Sequence, residues 1–153
     1  MSTAQKLSVN TVRQSLFSNE FAASIDQRPP VPFRASFSRV SYPQLGDCLT
    51  ITATLRDAVD NHIKTIRIIF IEDPVDNTPQ RAKDVRVFYG DTAESPPSEY
   101  STSEPLTSLN FDSQNLSISG TIDARVDDGL VNPKAHDLMM NFRLVAEPGS
   151  RRT

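Results

Sequence analysis

From Leu116 to Val126 every second residue is apolar or small: Leu116, Ile118, Gly120, Ile122, Ala124, Val126. Ser117, Ser119, Thr121, Asp123 and Arg125 lie between them. Side chains of a strand alternate between its two faces, so this stretch suits one long strand with an oily side and a hydroxyl-rich side. A helix would scatter the same apolar residues around its circumference.

The same rhythm recurs. Val31 to Ser41 places Val31, Phe33, Ala35 and Phe37 on one face. Cys48 to Arg56 turns Leu49, Ile51, Ala53 and Leu55 inward and Thr50, Thr52, Thr54 and Arg56 outward. Ile66 to Ile71 is apolar on both faces, as a covered central strand is. Val85, Val87 and Tyr89 form a short strand, and Leu138, Met140, Phe142, Leu144 and Ala146 close the series. Glycine punctuates it: Gly46, Gly90, Gly129 and Gly149 fall where strands end. Asp128-Gly129 suits a tight hairpin turn. Gly120, inside the long strand, marks a bulge or a close backbone approach.

These patterns predict an all-β fold over 1–153, one antiparallel β-sandwich domain of about seven or eight strands, with a barrel as the alternative. A chain of 153 residues buries roughly 70% of its unfolded surface, enough for a core without disulfides. Residues 1–28 are expected to pack on the domain as an edge strand or one short helix. The acidic Ser/Pro-rich stretch 91–105 reads as a long loop with Tyr100 as its anchor. Residues 148–153 read as a flexible C-terminal tail.

Charge limits the partners. Sixteen Lys and Arg against nineteen Asp and Glu give a net charge of −3, and the cations are scattered, so no nucleic-acid platform is expected. No apolar run approaches the roughly 18 residues of a membrane span. The N-terminus lacks the pattern of a secretory signal, and Cys48 is the single cysteine, which together predict a cytoplasmic protein.

Catalytic signatures are sparse. No glycine-rich phosphate loop, metal-binding helix or nucleophile elbow is present. Cys48 with His62 or His136 is a conceivable thiolate pair, but Asp47 beside Cys48 opposes a thiolate. His136-Asp137 are neighbours in the chain, an arrangement that rarely makes a dyad. Asp123, Asp127 and Asp128, and Glu72, Asp73, Asp76 and Asn77, form acidic turns without the spacing of a calcium loop. The sequence therefore predicts no catalytic residue, no metal and no cofactor.

What remains is binding. The first expectation is a module that joins another protein or itself, as a homodimer for instance, through a sheet edge or the 91–105 loop, with Phe88, Tyr100, Met139, Arg143 and Val145 at the contact. The alternative is a carrier of a small ligand or sugar. That reading uses an apolar cavity behind Phe33, Phe37, Phe70, Phe111 and Phe142, or a polar platform of Thr52, Thr54, Arg56, Ser119, Thr121 and Arg125. A hydrolase or isomerase on a β-scaffold comes third.

Overall fold

A computed structural model describes residues 19–75, 84–95 and 98–150. The described residues form ten antiparallel strands and no helix. In chain order they are β1 (Glu20–Ile25), β2 (Val31–Pro32), β3 (Arg34–Tyr42), β4 (Gly46–Arg56), β5 (Ile63–Phe70), β6 (Val85–Asp91), β7 (Glu99–Thr102), β8 (Leu106–Asp112), β9 (Ser117–Asp127) and β10 (Ala135–Val145). They pair in the order β2-β1-β10-β9-β7-β6-β5-β4-β3, and β8 also pairs with β9. The sheet curls until its ends nearly meet, the barrel-like alternative among the expected all-β forms. Phe33 N–H donates to the Phe21 carbonyl at 2.8 Å, and Glu147 N–H to the Phe37 carbonyl at 2.9 Å, which ties β3 back to the β1–β10 side.

Alternation fixes which face turns in. Phe37, Leu49, Ile51, Ala53, Ile66, Ile68, Phe70 and Val87 are buried from one half of the sheet. Ile118, Ile122, Val126, Leu138, Met140, Phe142 and Leu144 are buried from the other. Phe21 stacks on Phe142 with ring centres 5.8 Å apart and meets Phe33 edge-on at 5.9 Å. Ile69, on the other face of β5, is also buried, in keeping with the two-sided apolar pattern of that strand.

Several boundaries differ from expectation. There are ten strands instead of seven or eight, because one expected strand is split and two, β7 and β8, arise where none was expected. The run Val31 to Ser41 breaks at Phe33, whose backbone bonds to Phe21 across the closing seam. The 91–105 stretch is not one loop: β7 lies inside it, and Tyr100 is buried. Asp128-Gly129 opens a longer connection, 128–134, closed by Asp128 N–H to the Lys134 carbonyl at 3.2 Å. Residues 20–25 are strand, and the rest of the expected N-terminal strand or helix, 1–18, lies outside the described residues. The two-residue turn sits instead at Asp26 and Gln27. Their φ values of 55° and 66° are those a type I′ hairpin turn requires.

The C-terminal segment is docked as far as Ser150. The Arg39 side chain donates through Nε to the Ser150 carbonyl at 2.8 Å, and Ser150 is buried. Asn19 Nδ2 donates to the Ala35 carbonyl at 3.3 Å. Asn19, Glu147 and Ser150 thus occupy backbone groups along the outer edge of β3, the edge that a partner strand would otherwise use.

Candidate functional site

The strand order gathers the turn after β1 and the connections β4–β5, β6–β7 and β9–β10 at one end of the barrel. His136, near the start of β10, stands among three of them. Its Nδ1 lies 2.7 Å from Asp26 Oδ2 on the β1–β2 turn, and its Nε2 lies 3.2 Å from Glu94 Oε2 on the β6–β7 connection. A neutral imidazole donates from one nitrogen only, so both contacts are hydrogen bonds at once only in the doubly protonated ring. Glu94 also accepts from the Tyr100 hydroxyl at 2.5 Å, and Asp26 Oδ1 accepts from Asp137 N–H at 2.9 Å. Tyr89 and Tyr100 complete the setting in edge-to-face contact with the imidazole, with ring centres 5.2 and 4.6 Å away.

The electrostatics follow from these partners. Burial pushes the Asp26 carboxyl upward, but the bonds from His136 and the Asp137 N–H outweigh it and hold the group below the ordinary aspartate value. The Glu94 bond, aided by burial, pushes the Tyr100 hydroxyl up to about 12. Burial, then the charges of Asp91 and Glu94, raise Tyr89 as well. Asp91 is held low despite burial, because it accepts from Ala93 N–H and pairs with Lys64 at 3.1 Å.

A carboxylate stands against each nitrogen of His136, so neither nitrogen is open to a substrate. The cluster acts as a clamp on the loops in the form described. Asp137 is not its dyad partner; that carboxylate pairs with Arg125 at 2.9 Å on the outer face. His136 itself belongs to β10 rather than to a loop. The other histidine, His62, is 3.2 Å from the Thr92 hydroxyl at the same end. Cys48 is buried beside the β3–β4 turn, its thiol directed at the Leu45 and Gly46 carbonyls, at the opposite end from both histidines. A thiol reagent is therefore expected to label Cys48 only in denaturant; rapid labelling of the native protein would contradict this burial.

The acidic turns serve the backbone: Asp127 accepts from Gly129 N–H at 2.8 Å and Asp128 from Leu130 N–H at 3.1 Å. Asp73 takes a two-pronged bond from Arg39, while Asp76 and Asn77 lie outside the described residues. Among the described residues no three His, Cys, Asp or Glu side chains are arranged to hold a metal ion. No described helix is long and apolar enough to cross a membrane.

The sequence-predicted contact residues scatter. Tyr100 is buried against His136, so it anchors its segment inward rather than meeting a partner. Val145 is half-buried, and its N–H donates to Asn19 Oδ1 at 3.0 Å. Met139 and Arg143 are exposed on the outer face of β10, and Phe88 is half-buried on that of β6. The proposed sugar platform is not assembled: Thr52, Thr54 and Arg56 lie on β4, and Ser119, Thr121 and Arg125 on β9, several strands away in the sheet. Thr121 and Ser119 face Asn141 and Arg143 across the ladder, which makes a smaller polar strip on β9 and β10.

Two of the depressions on the outer surface are lined by described residues. One of about 400 Å³ lies over β8, β9 and β10, with Leu106, Asp123, Arg125 and Met139 in its wall. The other, of about 430 Å³, lies at the end of β7 and is lined by Arg86, Phe88, Ser101, Thr102 and Asp127. Glu104, in the bend from β7 to β8, borders both.

No family model matches the sequence, and no curated protein and no solved structure matches it.

Proposed function

We propose that the protein is a non-catalytic binding module that docks a protein partner, or a second copy of itself, on the outer face of β8, β9 and β10. One observation carries the reading. Leu106, Asp123 and Met139 stand side by side across the three strands, and both apolar members are 56% exposed. Two large apolar side chains flanking a charge beside a depression are the makings of an interface core with a polar rim. The edge of β3 is already occupied and Tyr100 is folded in, so the face is favoured over an edge or the 91–105 segment. The expected cytoplasmic setting belongs to the same reading, with Cys48 held reduced.

Sedimentation velocity tests it. The native chain is expected to show a concentration-dependent rise in sedimentation coefficient, or a defined heterocomplex with one host protein. Leu106→Lys with Met139→Lys is expected to abolish either while leaving thermal unfolding nearly unchanged, since exposed substitutions typically cost within about 0.5 kcal/mol. A native chain that stays monomeric and partnerless, or a double variant that associates equally well, would defeat the proposal. The carrier reading draws less support, because the five phenylalanines named for a cavity are packed in the core.

A further inference from the structure

We infer that the depression at the end of β7 receives a side-chain carboxylate of the docked protein on Arg86, with a neighbouring basic group of that partner meeting Glu104 and Asp127. This rests on the docking reading and adds the chemistry of the partner.

The depression arises from unequal strand lengths. The ladder between β6 and β7 ends at Val87 opposite Thr102, where the chain bends away toward β8. Arg86 lies one residue beyond that last pair, and β7 meets β9 through the single pair Ser101 and Asp127. The outer surface is therefore left unfilled between Arg86, Phe88 and Asp127.

Arg86 is incompletely satisfied there. Its Nε is buried and has no hydrogen-bond partner, while its Nη2 reaches only a distant carboxylate, Asp84 Oδ1 at 3.7 Å. A buried N–H without an acceptor carries a desolvation penalty that a bound acceptor removes. Nε lies just beneath the surface of the depression while the side chain as a whole is 40% exposed, so a small turn of the guanidinium brings Nε and one terminal nitrogen outward as the side-on fork that fits both oxygens of a carboxylate. Ser101, Thr102 and Ser103 line the same depression with hydroxyl groups. Phe88 supplies an apolar wall for the stem of the incoming side chain.

The rim decides which acid is admitted. Glu104 and Asp127 repel a phosphate or a run of acids, and they attract a cation placed next to the carboxylate. A partner surface with adjacent acidic and basic residues satisfies both signs at once. Glu104 also borders the Leu106–Met139 depression, so one partner surface can cover the two sites.

The test reads Arg86 directly, in nitrogen-15 NMR of the full chain. The probe is acetyl-Asp-Lys-amide, compared with acetyl-Lys-Lys-amide and inorganic phosphate. The acid–base dipeptide is expected to shift the Arg86 Nε–H signal saturably, with a dissociation constant of about a millimolar. Arg86→Gln is expected to weaken binding at least about tenfold, and Arg86→Lys several-fold, because the lysine keeps the charge and loses the fork. Glu104→Gln is expected to narrow the preference for the acid–base dipeptide over phosphate. An unmoved Arg86 signal, equal binding by Arg86→Lys, or tighter binding of phosphate or the dilysine probe would overturn the inference. Because Leu106 and Met139 are untouched, such a failure leaves the sedimentation result standing, and the two ideas fail separately.

Discussion

Replacing Gly120 by alanine is expected to cost about 4 kcal/mol of stability, near the upper end for a single substitution. Two causes add. Gly120 has φ of +142°, a backbone conformation nearly closed to other residues, which alone costs on the order of 1–3 kcal/mol. A Cβ there would also lie 2.1 Å from the Ser108 carbonyl oxygen and 3.0 Å from Leu109 Cα, both backbone atoms of β8. No side chain can rotate away to make room, so β8 must move off β9 and the ladder between them opens. Urea unfolding followed by far-ultraviolet circular dichroism checks this. A loss below about 1 kcal/mol would mean that β8 and β9 do not approach as described.

The second large effect is expected at the His136 clamp. His136→Ala removes the contacts of the imidazole with both carboxylates and leaves Asp26 and Glu94 at their positions without the ring between them. The imidazole is 21% exposed and Glu94 24%, which places the loss at about 2 kcal/mol, above a surface pair and below a fully buried one. The strands should survive, since the core lies beneath the cluster. The local consequence is faster amide exchange at the β1–β2 turn and around Glu94. Unchanged urea midpoints and exchange rates in both His136→Ala and Glu94→Gln would remove the clamp from the account.

The pH dependence has a definite sign. The folded Asp26 carboxyl is held below its unfolded value, so its contribution is fully present above the ordinary aspartate pKa and fades as pH falls through the lower folded one. Asp26→Asn is therefore expected to be less stable at neutral pH and to show a shallower loss of stability on acidification. An identical acid limb in that variant and the native chain would contradict the assignment.

Much of the framework was legible in the residues. Gly120 was readable as a bulge or a close backbone approach, and the nearness of the β8 backbone makes it the second. The inward faces of β4, β9 and β10 followed from their alternation alone. The His136 cluster was not legible. Its members Asp26, Glu94, Tyr100 and His136 are separated by as many as 110 residues, and no local pattern connects a turn aspartate with a distant histidine. Nor was the turn that carries Asp26 announced: Asp26 and Gln27 adopt positive φ without the Asn-Gly or Asp-Gly that usually advertises such a turn. Tyr100 was misplaced for a related reason: its acidic, serine-rich neighbours concealed a short strand that pairs with β6.

The sequence by itself determined that the chain is built of antiparallel strands and which side of most of them is buried, because strand geometry ties facing to residue parity. Only the tertiary structure decided that the sheet curls nearly shut, that β3's edge is occupied, and that Arg86 is left facing a gap at the end of β7. Those outcomes depend on pairings between segments far apart in the chain, and hydrogen bonds between backbones leave no mark on the identity of the residues that make them.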